Sequence, residues 1–240
     1  MLRLRSTAFL VALVALASCL TYVNLTFSPT GDAVSRPVLP AVAAPGALFL
    51  SILCGLGAMP FGSEYRQNSL RFTLSLVPSR TLFFLGKMAA VEVASAALAC
   101  LALVLSCIAA SIYALTHPLV ALAMPSTADA ARTLLLYLGA SACATAIACA
   151  LSVITRSQLF AVVFPVVLGT LVEPALAIVG SGSVLPKLLP FAAARAAMDP
   201  QYGAILEGSW GNPWAAFGVC ALYGVCLSMV AFALFRRCSA

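Results

Sequence analysis

Apolar residues fall in long, nearly uninterrupted blocks along this chain, separated by short stretches that hold most of the charged residues. Crossing the roughly 30 Å hydrocarbon core of a bilayer at 1.5 Å rise per residue takes about 20 mostly apolar residues. Six blocks meet that length, at 7–27, 41–61, 89–115, 133–155, 159–179 and 214–235. Backbone polar groups in lipid must be satisfied within their own segment, so each block is expected to be a transmembrane helix. The predicted fold class is therefore all-α, a polytopic membrane protein, with 1–240 as a single transmembrane domain. Pro45 lies in the first turn of the second block, where its missing N–H costs nothing, whereas Pro165 lies inside the fifth and is expected to kink it.

Composition agrees with the pattern. Of 240 residues, 63% are hydrophobic and only 8% charged, with a mean hydropathy of +1.08. A soluble domain carries about 25% charged residues. This excludes a soluble enzyme, a nucleic-acid-binding domain and a disordered chain. The net charge of +6 is then a topology signal. With both termini cytoplasmic, the inside holds Arg3, Arg5, Arg66, Arg71, Arg80, Lys87, Arg156, Arg236 and Arg237, and the outside only Arg36, Arg132, Lys187 and Arg195. That distribution obeys the positive-inside rule. The acids sharpen it, with Glu64 and Glu92 inside against Asp32, Asp129, Glu173, Asp199 and Glu207 outside. A basic inner face meets anionic lipid headgroups, so membrane lipids are expected partners and nucleic acid is not.

Motifs for chemistry are missing. The nine cysteines include no C-x-x-C pair, and all but Cys238 fall in apolar blocks, where a thiol behaves as a small hydrophobe. No phosphate-binding G-x-x-x-x-G-K-[ST], H-E-x-x-H or G-x-S-x-G occurs, and the single histidine, His117, precedes Pro118 in a predicted loop. No catalytic, metal or cofactor site is expected in this chain. Residues 16–19, Leu-Ala-Ser-Cys, match a lipoprotein cleavage signal, but the apolar run continues to Phe27, so a retained full-length helix is expected.

Residues 61–80 form the most polar stretch between blocks on the inner side. It reads as a short amphipathic helix at the membrane surface, capped by Ser63 and complemented by Glu64 at its positive N-terminus. Pro78 stops it, and Ser79 is placed to cap a following helix holding Phe83, Phe84 and Lys87. In that context Glu64, Asn68, Ser69, Leu70, Leu74, Pro78, Arg80, Gly86 and Lys87 resemble the coupling region of type-2 permeases of ATP-binding-cassette (ABC) exporters, E-x-x-x-[GN]-[ST]-hydrophobic followed by Pro and Gly-Lys. Asn68 stands where Gly is commoner. The likeness extends over the chain: six spans, a long first external loop and an external segment before the last span. It implies a permease subunit without ATPase activity, paired with a second permease chain as homo- or heterodimer. It also implies a separate ATP-binding cassette subunit that holds the ATP and Mg and seats on a coupling helix. The implied interface is Glu64, Tyr65, Arg66, Asn68, Ser69, Leu70, Arg71 and Phe72.

Residues 179–212 resemble the external re-entrant helices of the same family. Pro190 can start a helix and Asp199-Pro200 can end it. The resemblance puts Pro190, Phe191 and Arg195 at a candidate external gate, and Glu173 joins them as an intramembrane acid, whose burial is costly enough to mark a functional suspect. From the residues alone, a helix resting on the outer leaflet is an equal alternative. Glu173 lies 17 residues beyond Arg156, about 25 Å up a helix and so near the outer surface. Glu92 is read as snorkelling or pairing with a cation near the inner boundary. Small residues in the third and fourth blocks, with Gly139, Ser141 and Ser152, are read as close helix packing. Two other function classes make different demands on the sequence. An intramembrane enzyme needs a facing catalytic pair, and a self-contained channel or secondary transporter predicts repeats or midplane charge; none is evident. Preference for Arg over Lys and abundant Ala fit a GC-rich bacterium, so the expected location is the bacterial plasma membrane.

Overall fold

A computed structural model describes residues 36–37, 46–67, 79–116, 122–123, 126–179, 185–198 and 212–237. The described chain is helical apart from a two-residue parallel pairing of Arg36–Pro37 (β1) with Leu122–Ala123 (β2). The helices are α1 Gly46–Gln67, α2 Arg80–Thr116, α3 Thr127–Thr155, α4 Gln158–Val167, α5 Glu173–Val179, α6 Pro190–Met198 and α7 Pro213–Arg237. A π-helical turn, Leu168–Val172, joins α4 to α5, and a 3-10 turn, Leu185–Leu188, precedes α6. Four stretches among the described residues are long and apolar enough to cross a membrane: Arg80–Tyr113, Thr127–Thr155, Gln158–Leu176 and Pro213–Arg237. The protein is a helical, membrane-embedded one. The expected first span, 7–27, and Pro45 lie outside the described residues.

Local sequence explains most helix starts. Ser79 caps α2, its hydroxyl accepting from Leu82 N at 3.3 Å. Ser126 begins α3 several residues before the apolar block, accepting from Asp129 N at 3.1 Å while donating to Asp129 Oδ2 at 2.7 Å. Ser157 caps α4 through Phe160 N, and Arg156 just before it takes the left-handed conformation, φ 52°, that ends α3. Pro190 and Pro213 occupy the first helical positions of α6 and α7, where no N–H is needed. Pro165 lies inside the unbroken α4, and the span widens just beyond it: Leu168 N–H reaches back to the carbonyls of Phe164 and Pro165, and Glu173 N–H to that of Leu168, five residues earlier.

Helix α3 is the centre of the bundle, with α1, α7 and α2 around it. Its buried stripe is made of small and hydroxylated residues, including Ala140, Ser141, Ala144, Thr145, Ala148 and Ser152. The hydroxyls return to their own helix, Ser141 to Leu138 O and Ser152 to Cys149 O, both at 2.7 Å. Polar side chains are thereby satisfied where no water is available. Small size sets how closely the helices pack. A Cβ on Gly57 of α1 would lie 2.5 Å from the Thr145 carbonyl oxygen, and one on Gly139 would lie 2.6 Å from the Phe217 ring. Packing along the Ala-rich helices agrees with the sequence reading.

Two glycines two residues apart in α1 give a test of this packing. Gly57→Ala must displace α3 backbone, so it is expected to destabilise the detergent-solubilised protein by about 1–3 kcal/mol. Gly55→Ala meets nothing within 4 Å and should be neutral or stabilising by up to about 1 kcal/mol. Thermal unfolding of the two variants checks the difference, and equal shifts would contradict the packing.

Candidate functional site

Sequence-predicted site residues fall at two ends of the bundle. At one end, α1 continues through Ser63, Glu64, Tyr65 and Arg66 to Gln67. This corrects the expectation that Ser63 caps a new helix opening at Glu64. The Ser63 hydroxyl instead donates to Met59 O at 2.7 Å inside the same helix, which removes the need for a break. Asn68, Ser69, Leu70, Arg71 and Phe72 lie outside the described residues. Arg66 is exposed, whereas Tyr65 packs against the aromatic cluster described next.

Lys87, two turns into α2, organises this end. Its ammonium forms an ion pair with Glu64 Oε1 and donates to the Pro60 carbonyl at 2.7 Å. It also lies 4.7 Å from the ring centroid of Phe83 and 5.1 Å from that of Phe61. Cation–π attraction strengthens once the cation leaves water. Around it Phe61, Phe83, Phe84, Phe232 and Phe235 join α1, α2 and α7, with ring centroids 5.3–6.3 Å apart. The sequence marked Glu64 and Lys87 separately and missed that they meet. It also read Glu92 as snorkelling or pairing with a cation. The structure gives Glu92 the Thr145 hydroxyl, at 3.1 and 3.2 Å from its two oxygens, and Ser95 at 3.5 Å. Only Thr145 on the facing helix, an undistinguished residue in an Ala-rich run, could have signalled this.

The other end holds Glu173, Pro190, Phe191 and Arg195 together. Gln158 at the start of α4 lies against Gly62, near the Lys87 end; Glu173, 15 residues further on, is about 22 Å away along the span. Glu173 is 1% exposed, and its Oε1 accepts from Phe191 N at 3.0 Å. It thus caps α6 from 18 residues away, a carboxyl oxygen set against the positive end of that helix. Pro190 leaves the adjoining first position without a donor, so the carboxylate meets the first available N–H. Arg195, one turn along α6, is 9% exposed, and its charge acts on the Glu173 carboxylate. The π-helical turn makes room for both: a Cβ at Gly169 would stand 3.2 Å from Phe191 and 3.5 Å from Arg195 Nη2. A cavity of about 10 Å³ lies between Leu50, Ser51 and Cys54 of α1, Pro165, Gly169, Phe191 and Arg195. It has room for about one water.

All of residues 191–198 are buried, so α6 is inserted against α3 and α7 rather than laid on a surface. Such an arrangement can seal one end of the bundle around a water-sized gap. It holds no paired nucleophile and base, and no cluster of metal-ligating side chains occurs among the described residues. Comparison with protein-family models, curated proteins and solved structures finds no match to this chain.

Replacing Glu173 tests the remote cap. Glu173→Leu is expected to cost about 1–3 kcal/mol by leaving the buried Phe191 N–H without an acceptor. Glu173→Gln keeps a carbonyl acceptor and should lose markedly less. Denaturant-induced unfolding in micelles measures both, and equal losses would show that the hydrogen bond is not what holds α6.

Proposed function

We propose that this chain is the membrane-spanning permease subunit of an ABC exporter, with six spans and both termini in the cytoplasm of a bacterial cell. Two permease chains, identical or related, would form the pathway. A separate ATP-binding cassette subunit would bind ATP and Mg and supply the energy, and this chain would carry out no catalysis. The observation that supports the reading most is the Lys87 clamp. It ties the last turn of α1 to the first turns of α2 on either side of residues 68–78, the stretch that resembles a coupling region. A push on that stretch would be delivered to two helices as one body. Arg66, together with Asn68, Ser69, Leu70, Arg71 and Phe72, would meet the ATPase, while Glu64 and Tyr65 would act from within by holding the end of α1. The short two-residue pairing β1–β2 fits this topology, because Arg36 and Leu122 are separated by α1 and α2 and an even number of crossings returns the chain to the same side. At the far end Glu173, Pro190, Phe191 and Arg195 would form the external gate.

Co-purification with the ATP-binding subunit encoded beside it tests this reading. The native chain is expected to retain the ATPase, and Phe72→Ala or Arg66→Ala to weaken retention by about thirtyfold, the effect of losing an interface hot spot of about 2 kcal/mol. Failure of any nucleotide-binding protein to copurify with the folded chain would overturn it.

A further inference from the structure

Helices α2, α3 and α7 leave a groove of about 560 Å³ between them, within the range of roughly 300–1,000 Å³ that small-molecule sites occupy. Its walls are apolar, running from Ala146 and Ala221 past Val225 and Met88 to Phe84 and Phe232. Glu92 is the one charged residue on the wall, and its oxygens are already engaged by Thr145 and Ser95. Apart from the Ser228 hydroxyl, the groove therefore offers an occupant dispersion contacts, which suits a hydrocarbon chain. One end differs. Phe232 and Phe84 meet there at 5.4 Å, and the Arg236 guanidinium lies over the Phe232 ring at 5.7 Å, exposed, with Arg237 beside it.

We infer that this groove is a binding site for an anionic phospholipid, its acyl chain along α7 and its phosphate at Arg236. A long apolar trough with cations at its mouth complements the two ends of such a lipid, and guanidinium is the side chain best matched to a phosphate. A span of this same chain or a second copy would bring apolar side chains but no anion to Arg236. The apolar block at 7–27 contains no acidic residue. The inference does not depend on the transport reading or on which way the helices cross the membrane.

Native mass spectrometry of the purified chain with phosphatidylglycerol or phosphatidylcholine tests it. Phosphatidylglycerol should be retained in preference. Arg236→Gln should lower that preference about fivefold, the worth of roughly one basic residue at an anionic surface. Arg236→Lys should restore most of it, and Arg132→Gln, an exposed cation near the other end of α3, should leave it unchanged. Ser228→Trp, which fills the groove, should abolish retention. A photoreactive residue at Val225 in phosphatidylglycerol vesicles gives an independent readout on an otherwise native chain. Lipid adducts support the site, whereas adducts to a second copy or to another segment of the chain would overturn it. Equal retention of the two lipids by the native chain, or a preference indifferent to both Arg236→Gln and Ser228→Trp, would overturn it as well.

Discussion

The ammonium of Lys87, only partly exposed, is held by groups that replace water: the Glu64 carboxylate, the Pro60 carbonyl and the faces of Phe61 and Phe83. A charge at the edge of a hydrocarbon phase is tolerated only when its lost hydration is made good locally. The arrangement of this end of the bundle follows from that requirement. Meeting it fixes the last turn of α1 beside the first turns of α2, and the aromatic rings that surround the cation draw in α7. The same rule governs the interior. Ser141 and Ser152 turn back on their own helix, Thr145 and Ser95 serve Glu92, and Glu173 serves the buried N–H of Phe191 at the start of α6.

Helix α1 connects the two ends. Its Leu50, Ser51 and Cys54 line the cavity beside Arg195, and its Pro60, Phe61 and Glu64 form the clamp. Cys54 and Glu64 are ten residues apart, about 15 Å along a helix. Between them Gly57 sits directly on the α3 backbone. If the chain is a permease, α1 is the rod through which movement at the coupling stretch would reach the gate, and α3 is the surface it would move against.

Much of this was legible from local sequence. Apolar block lengths located the four membrane-length stretches among the described residues, Ser79 and Pro190 marked helix starts, and the π-helical turn after Pro165, with Gly169 against Phe191, was not foreseen. The resemblance pointed to Pro190, Phe191 and Arg195, the cost of a buried charge to Glu173, and the fold brings them together. Misreadings came where a partner distant in sequence decided the outcome. Ser63 followed by Glu64 has the chemistry of a helix start, yet Lys87, 23 residues away, claims the carboxylate, and Met59 claims the hydroxyl. Glu92 lost the same cation to Glu64 and took Thr145, 53 residues away. Composition cannot rank such competitors, because their proximity is set by helix packing.

The clamp is the claim on which the most depends, and a double-mutant cycle measures it. Unfolding of Glu64→Gln, Lys87→Met and the double variant in detergent should give a coupling of about 1–3 kcal/mol, with the double variant more stable than the sum of the single losses implies. Additive losses, within about 0.3–0.5 kcal/mol, would show that Glu64 and Lys87 act independently and that their ion pair does not tie α1 to α2 across residues 68–78.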